Sequence, residues 1–181
     1  MKDKYELKDD RWAKQFGDFA ENLVMYVLGQ LKSMSVALID HVGADLIAAE
    51  RKENGTRLAV SVKGRNFPNT ESKSFGFSKG DIKKLTDTAE TFDLIPTVAF
   101  VFVDEMEGFK KIRMFIAKLA DLLSLCEDPN VEFINYSKDG ITFKYTESNR
   151  VHHLSAIRNC DLIDYSELNF SFLSEGVSFL K

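Results

Sequence analysis

The chain has 181 residues, 44% of them hydrophobic and 29% charged, with a formal net charge of −4. That length suits one domain, or one domain with an appendage, and is enough to bury a proper core. The net charge argues against a protein that coats nucleic acid indiscriminately, and no apolar run is long enough to span a bilayer, so a cytoplasmic protein without a membrane partner is expected.

From Asp10 to Ser33, Trp12, Phe16, Phe19, Ala20, Leu23, Val27 and Leu31 recur at three- and four-residue spacing, which predicts an amphipathic helix. Strands are predicted over residues 35–42, 44–50 and 57–65, with RKENGT as turn material before the third. In that third strand Leu58, Val60 and Val62 share one face, and Arg57, Ala59, Ser61, Lys63 and Arg65 share the other. Residues 66–77 read as an irregular loop. Ser78, with Asp81 three residues later, has the form of a capping box opening a second helix, whose stripe is Ile82, Leu85, Ala89 and Phe92. TVAFVFV, residues 97–103, suits a strand covered on both faces, IRMFIAK a strand pairing back on it, and LADLLSL a short helix. Asp139-Gly140 between alternating runs signals a hairpin, and from Thr146 onward only scattered short elements are expected.

Charge is unevenly placed. Between Arg57 and Lys84 seven basic residues face two acidic ones, so that segment is +5 and the remainder −9. Such a stretch is what a phosphate backbone needs, although a solvated loop and helix face has the same composition. Cys126 and Cys160 lack any CxxC or Cys/His pattern and read as reduced structural thiols. His41, the pair His152–His153 and Tyr165 read as structural.

The order helix, three strands, helix, strand resembles the PD-(D/E)xK, or restriction-endonuclease-like, nuclease superfamily. The residues that carry the resemblance are Gly17-x-x-x-Glu21 on the first helix, Gly43-Ala44-Asp45-Leu46-Ile47 opening the second strand, and Ser61-Val62-Lys63 on the third. GADLIA followed by a strand ending in VK is most similar to the branch containing archaeal Holliday-junction resolvases and Mrr-type restriction enzymes. The match covers roughly residues 10–104. It implies an α/β fold with a restriction-endonuclease-like core (helix, three-stranded meander, helix, strand) over residues 1–125. Residues 126–181 would form a C-terminal α+β extension with a hairpin, packed on the same domain.

The resemblance implies a metal-dependent DNA endonuclease, of restriction or junction-resolvase type, using Mg²⁺ or Mn²⁺. Hard divalent cations take carboxylate oxygens and neutralise charge growing on a phosphate. Asp45 would be a bridging ligand, Glu21 a further ligand or the holder of a water, and Lys63 the group orienting the attacking water. Phosphate contacts would come from Arg65, Lys73, Lys79, Lys83 and Lys84, and two half-sites on a duplex would make a homodimer natural. Ser61 departs from the pattern, because the triplet's usual acid is absent. Three readings stay open: an acid from the next helix compensates (Asp81 or Glu71, more remotely Glu90), the remaining ligands suffice, or the protein is a degenerate module that binds DNA or a protein partner without cleavage. Asp81 also serves as a cap residue, Glu21 as a solvated acid, and Asp45 as a turn residue.

Register tests the picture. A two-residue Asn54-Gly55 turn would put Asp45 and Lys63 on opposite faces. A three-residue loop over Glu53–Gly55 would set Asp45 opposite Lys63, so an odd-length loop or a bulge is expected in this hairpin.

Overall fold

In the computed structural model, residues 10–39, 41–67, 74–106, 109–144 and 150–171 are described. The chain opens with helix α1 (Asp10–Gly29), then the antiparallel strands β1 (Met34–Leu38), β2 (Leu46–Glu50) and β3 (Arg57–Phe67). Strand β4 (Ser74–Ser78) leads directly into helix α2 (Lys79–Thr91). Strand β5 (Ile95–Met106) then returns parallel to β3, and β6 (Phe109–Lys118) pairs back on it antiparallel. Helix α3 (Leu119–Glu127), the hairpin β7 (Ile134–Ser137) and β8 (Gly140–Lys144), helix α4 (Arg150–Arg158) and strand β9 (Asp164–Ser171) complete the order. The fold is α/β, with the helix, meander, helix, strand succession that the sequence predicts and one strand more, β4.

The main sheet has six strands in the order β1-β2-β3-β5-β6-β9, and β4, β8 and β7 form a second sheet of three. Alternation along the central strands divides two apolar layers. Leu46, Ala48, Val60, Val62, Ala99 and Val101 meet Ala20, Val24 and Leu28 of α1 on one face. Phe100, Phe102 and Phe115 project from the other face toward Phe77, Leu85, Leu122 and Phe143, so α2, α3 and the small sheet cover it. Both faces of β5 are therefore buried, which is why it reads as an unbroken apolar run.

Three expectations are corrected. Residues 66–77 are not all loop: β3 runs on to Phe67, and Ser74–Ser78 is a strand whose Phe77 is completely buried and pairs with Ile141. The segment after Thr146 holds more than scattered pieces, because β9 is an eight-residue strand paired along β6. The predicted strands at 35–42 and 44–50 are shorter, ending at Leu38 and beginning at Leu46. The hairpin signalled by Asp139-Gly140 is present, with Ser137 paired to Gly140 across two turn residues and Gly140 at φ +124°. A Cβ at Gly140 would lie 2.2 Å from the Phe77 carbonyl oxygen, so glycine is required there.

Candidate functional site

The β2–β3 hairpin sets the site. Its loop is five residues long, because Glu50 and Thr56 close it: the Glu50 N–H donates to the Thr56 carbonyl at 2.9 Å, and the Thr56 N–H donates to Glu50 Oε2 at 2.8 Å. Lys52 adds an ion pair to Glu50 at 2.9 Å, and Asn54 adopts a left-handed φ of 54°. Arg51 is drawn toward β1, its N–H donating to the Ser33 carbonyl at 2.7 Å and its Nε to Ser35 Oγ at 2.9 Å. The odd length is as expected, but the loop is two residues longer than Glu53–Gly55, and the register shifts accordingly.

Leu46 pairs with Val60, and the Asp45 N–H donates to the Val60 carbonyl at 2.9 Å, so two residues face one in a local bulge. Asp45 therefore does not stand opposite Lys63 but falls short of it, beside Ser61 and Val62. Its Oδ2 accepts the Val62 N–H at 2.6 Å and the Ser61 hydroxyl at 3.4 Å. The carboxylate takes the place of a strand partner where β2 has not yet begun, which satisfies a β3 amide that would otherwise lack an acceptor.

Gly43 fixes the approach to Asp45. A Cβ there would sit 2.1 Å from the Lys84 carbonyl oxygen and 2.4 Å from Thr88 Oγ1, so the backbone rests directly on α2. Thr88 Oγ1 also lies 3.2 Å from His41 Nδ1, tying the same turn to the helix.

Lys63 and Ser61 project from the α2 side of the sheet. Lys63 is one-third exposed, with its Nζ 3.7 Å from Asp81 Oδ1 and 5.5 Å from the centre of the Phe77 ring. Asp81 is placed by the cap: its N–H donates to Ser78 Oγ at 3.1 Å, and the Ser78 hydroxyl donates to Asp81 Oδ2 at 2.8 Å. Cap duty and proximity to Lys63 thus coincide in one carboxylate.

The other candidates are spread more widely. Glu21 is half-buried on α1, next to the Ala20 that packs on Gly64, and α1 lies on the sheet face opposite Lys63. Glu90 is exposed near the far end of α2. Glu71 and Lys73 lie outside the described residues. Arg65 is exposed on the Lys63 face, and Lys84 is exposed on α2. Lys83 pairs with Asp87 at 2.6 Å, and Lys79 stands 5.4 Å from the Tyr136 ring centre.

The donor set suits a hard divalent cation that keeps most of its water. Asp45 Oδ1 accepts no hydrogen bond among the described residues, while Oδ2 holds the carboxylate in place. Among those residues no three His, Cys, Asp or Glu side chains gather into a metal-holding group. One or two carboxylates with water and substrate oxygens is the usual complement for Mg²⁺.

Sequence reasoning missed Phe77 beneath Lys63 and the contact of Gly43 with α2. The glycine of Gly43-Ala44-Asp45 was itself the available signal. Among the described residues no helix is long and apolar enough to cross a membrane.

No protein-family model matches the chain. Among curated proteins it is similar to a ferrochelatase of Prochlorococcus marinus (strain MIT 9301), with 23% identity over 128 residues, 71% of this chain and 32% of that protein. The chain thus spans about a third of the length of this relative. Among solved structures it is similar to Hjc, a Holliday junction resolvase of Archaeoglobus fulgidus, with a TM-score of 0.46 and 15% identity over 71% of this chain and 85% of that one.

Proposed function

We propose that the chain is a divalent-metal-dependent nuclease that hydrolyses DNA phosphodiester bonds endonucleolytically, as a restriction or junction-resolving enzyme working as a homodimer. The observation that carries this reading is the juxtaposition at the β2–β3 bulge. Asp45 meets Ser61 and Val62 where two strands part, one residue short of Lys63 along β3, with one carboxylate oxygen fixed by the Val62 amide and the other accepting no hydrogen bond among the described residues.

When bound, Mg²⁺ or Mn²⁺ supplies Lewis-acid neutralisation of the phosphate. Asp45 presents Oδ1 for this ion, and the Val62 N–H holds it in position. Lys63 orients the attacking water or a phosphate oxygen through its ammonium. At 3.7 Å from Asp81 it is loosely paired, so exchanging that partner for substrate loses little. Asp81 positions the lysine and is the acid that stands in for the carboxylate Ser61 lacks. A role for Glu21 requires its carboxylate to reach Asp45 past the end of β2. Arg65, Lys79 and Lys84 supply phosphate contacts, with Lys83 after release from Asp87.

A second reading, a module that binds DNA without cutting, is favoured by one observation. Ser61 is 5% exposed and its hydroxyl lies 3.4 Å from Asp45, so at that position a weak donor replaces an anionic ligand.

Cleavage of plasmid and branched DNA with Mg²⁺ or Mn²⁺, beside Lys63→Ala and Asp45→Ala, separates the two. The nuclease reading expects cutting by the wild type and a loss on the order of 10²–10⁴-fold in each variant. Absence of cutting under either metal, with DNA binding intact, supports the second reading.

A further inference from the structure

The first turn of α2 joins two parts of the surface. Lys79 and Asp81, two residues apart on a helix of 3.6 residues per turn, leave it in nearly opposite directions. Asp81 turns to Lys63, while Lys79 reaches the β7–β8 hairpin, where its Nζ stands 5.4 Å from the centre of the Tyr136 ring. Ser78, Lys79 and Gly80, which link the two, are exposed.

The hairpin is braced against that turn. The Lys79 N–H donates to the Asp139 carbonyl at 3.1 Å, and the Asp139 N–H donates to Ser137 Oγ at 3.2 Å. Tyr136 pairs with Ile141 and Ile141 with Phe77, so β7 is anchored to β4 through β8.

We propose that Tyr136 is a stacking platform for an unpaired nucleobase, with Lys79 on the phosphate of that nucleotide, so that the DNA taken by the Lys63 site carries single-stranded bases. This rests on the DNA-binding part of the proposed function and not on cleavage.

Availability is the first support. Tyr136 is 47% exposed, although Ile141 and Phe77 in the same row of the small sheet are buried. Among the described residues its hydroxyl has no hydrogen-bond partner and Lys79 makes no ion pair. An ammonium over an exposed ring is a weak contact. A base face can take its place while the lysine turns to a phosphate oxygen. Every base offers such a face, but only outside a duplex stack. A tyrosine on a braced strand presents its ring at low entropic cost.

Position is the second support. Two strand spacings put Tyr136 about 10 Å from Phe77, whose ring centre lies 5.5 Å from Lys63 Nζ. About three base steps of one strand cover that span, and the exposed turn from Ser78 to Gly80 gives the strand its path.

A latch that merely ties hairpin to helix predicts lost stability with no change in substrate preference, and binding measured without chemistry separates the two roles. Wild type, Tyr136→Ala, Tyr136→Leu, Tyr136→Phe and Lys79→Ala are titrated by fluorescence anisotropy against labelled single-stranded and duplex DNA of one sequence, in EDTA, with melting temperatures taken on the same samples. Tyr136→Ala and Tyr136→Leu are expected to weaken single-strand binding by about 5-fold or more and to leave duplex binding unchanged, while Tyr136→Phe keeps both. Lys79→Ala should flatten the slope of log K against log salt by about 0.7 on the single strand. Tyr136→Leu keeps most of the side chain's bulk, so the test stands if the alanine variant fails to fold. An unchanged ratio of single-strand to duplex affinity in the folded leucine variant would overturn the platform, whatever its melting temperature. Wild-type binding to duplex but not to single strands would overturn the platform and keep the DNA-binding reading. Wild-type protein that binds neither would overturn both. The expected losses without any cutting under Mg²⁺ would remove the nuclease reading and keep the platform.

Discussion

The Val62 amide and the Asp45 carboxylate are joined at 2.6 Å, at the point where β3 has no neighbour from β2. This makes Asp45 a structural acceptor as well as the candidate ligand, and the two roles can be separated. Asp45→Ala leaves a buried N–H without its partner and is expected to cost about 1–3 kcal/mol of stability. Asp45→Asn keeps an acceptor, so it should lose about 1 kcal/mol less while removing the charge a metal requires. Urea unfolding of both variants, with cleavage assayed in parallel, checks this: activity lost in Asn with stability nearly kept assigns the carboxylate to chemistry.

Gly43→Ala tests the seat of that turn. Its Cβ would meet a helix carbonyl at 2.1 Å, and a backbone atom cannot swing aside as a side chain does. Overpacking of this kind costs about 1–3 kcal/mol, which for a chain of this length lowers Tm by roughly 4–8 °C at the middle of that range. Scanning calorimetry gives the number, and an unchanged Tm would mean the turn lifts freely from α2.

Ser61→Asp restores an acid to the triplet. The new carboxylate would be buried beside Asp45, so in EDTA the variant is expected to unfold at lower denaturant than wild type through like-charge repulsion. A divalent cation bridging the two should reverse this, by about 2.7 kcal/mol at a hundred times its dissociation constant. The wild type should respond less. A variant indifferent to Mg²⁺ would show that the two positions cannot share an ion.

Glu167 sets an acid limit on stability. Burial raises its pKa, but hydrogen bonds from Arg113, Lys111 and Tyr165 and the Lys111 charge outweigh it, and the folded value lies below the ordinary carboxylate value. A depressed folded pKa contributes stability above the unfolded value, about pH 4, and that contribution is lost as pH falls through the folded value. Glu167→Gln should therefore be less stable than wild type at pH 7, by about 1.5–3 kcal/mol for lost hydrogen bonds to a charged group. The difference should narrow as pH falls below about 4. Denaturant midpoints from pH 7 to 3 measure it, and parallel wild-type and variant curves would contradict the assignment.

Periodicity made the central elements legible. The helix α1, the cap at Ser78 and the apolar run of β5 each carry a local pattern and each forms, but the buried face of α1 is Phe16, Ala20, Val24 and Leu28, while Phe19 and Leu31 of the expected stripe are exposed. Register was not legible to the same degree, because the side-chain bonds of Glu50 and Arg51 lengthen a loop that turn propensity alone would make shorter. Strand β4 escaped because its Ser74, Gly76 and Ser78 read as turn material, while its partner β8 lies more than sixty residues away. Strand β9 escaped for another reason: Glu167 points inward to Arg113, and Leu168 on the opposite face is exposed, which inverts the usual alternation. Arg113 offered a clue, since it shares the parity of the buried Phe115 and Ala117 within IRMFIAK.

The pairing of β4 with β8 also bears on how the chain comes off the ribosome. Phe77 emerges early, yet the strand that pairs with it, Gly140–Lys144, is made some sixty residues later, together with the Phe143 that covers Phe100 and Phe115. Until then a nascent chain ending near residue 104 would expose an aromatic surface and an unpaired strand, both invitations to association. Completion of the small sheet thus needs a long-range pairing that only the later part of the chain supplies. Factors that shield nascent apolar surface would find their substrate in the stretch between α2 and β8.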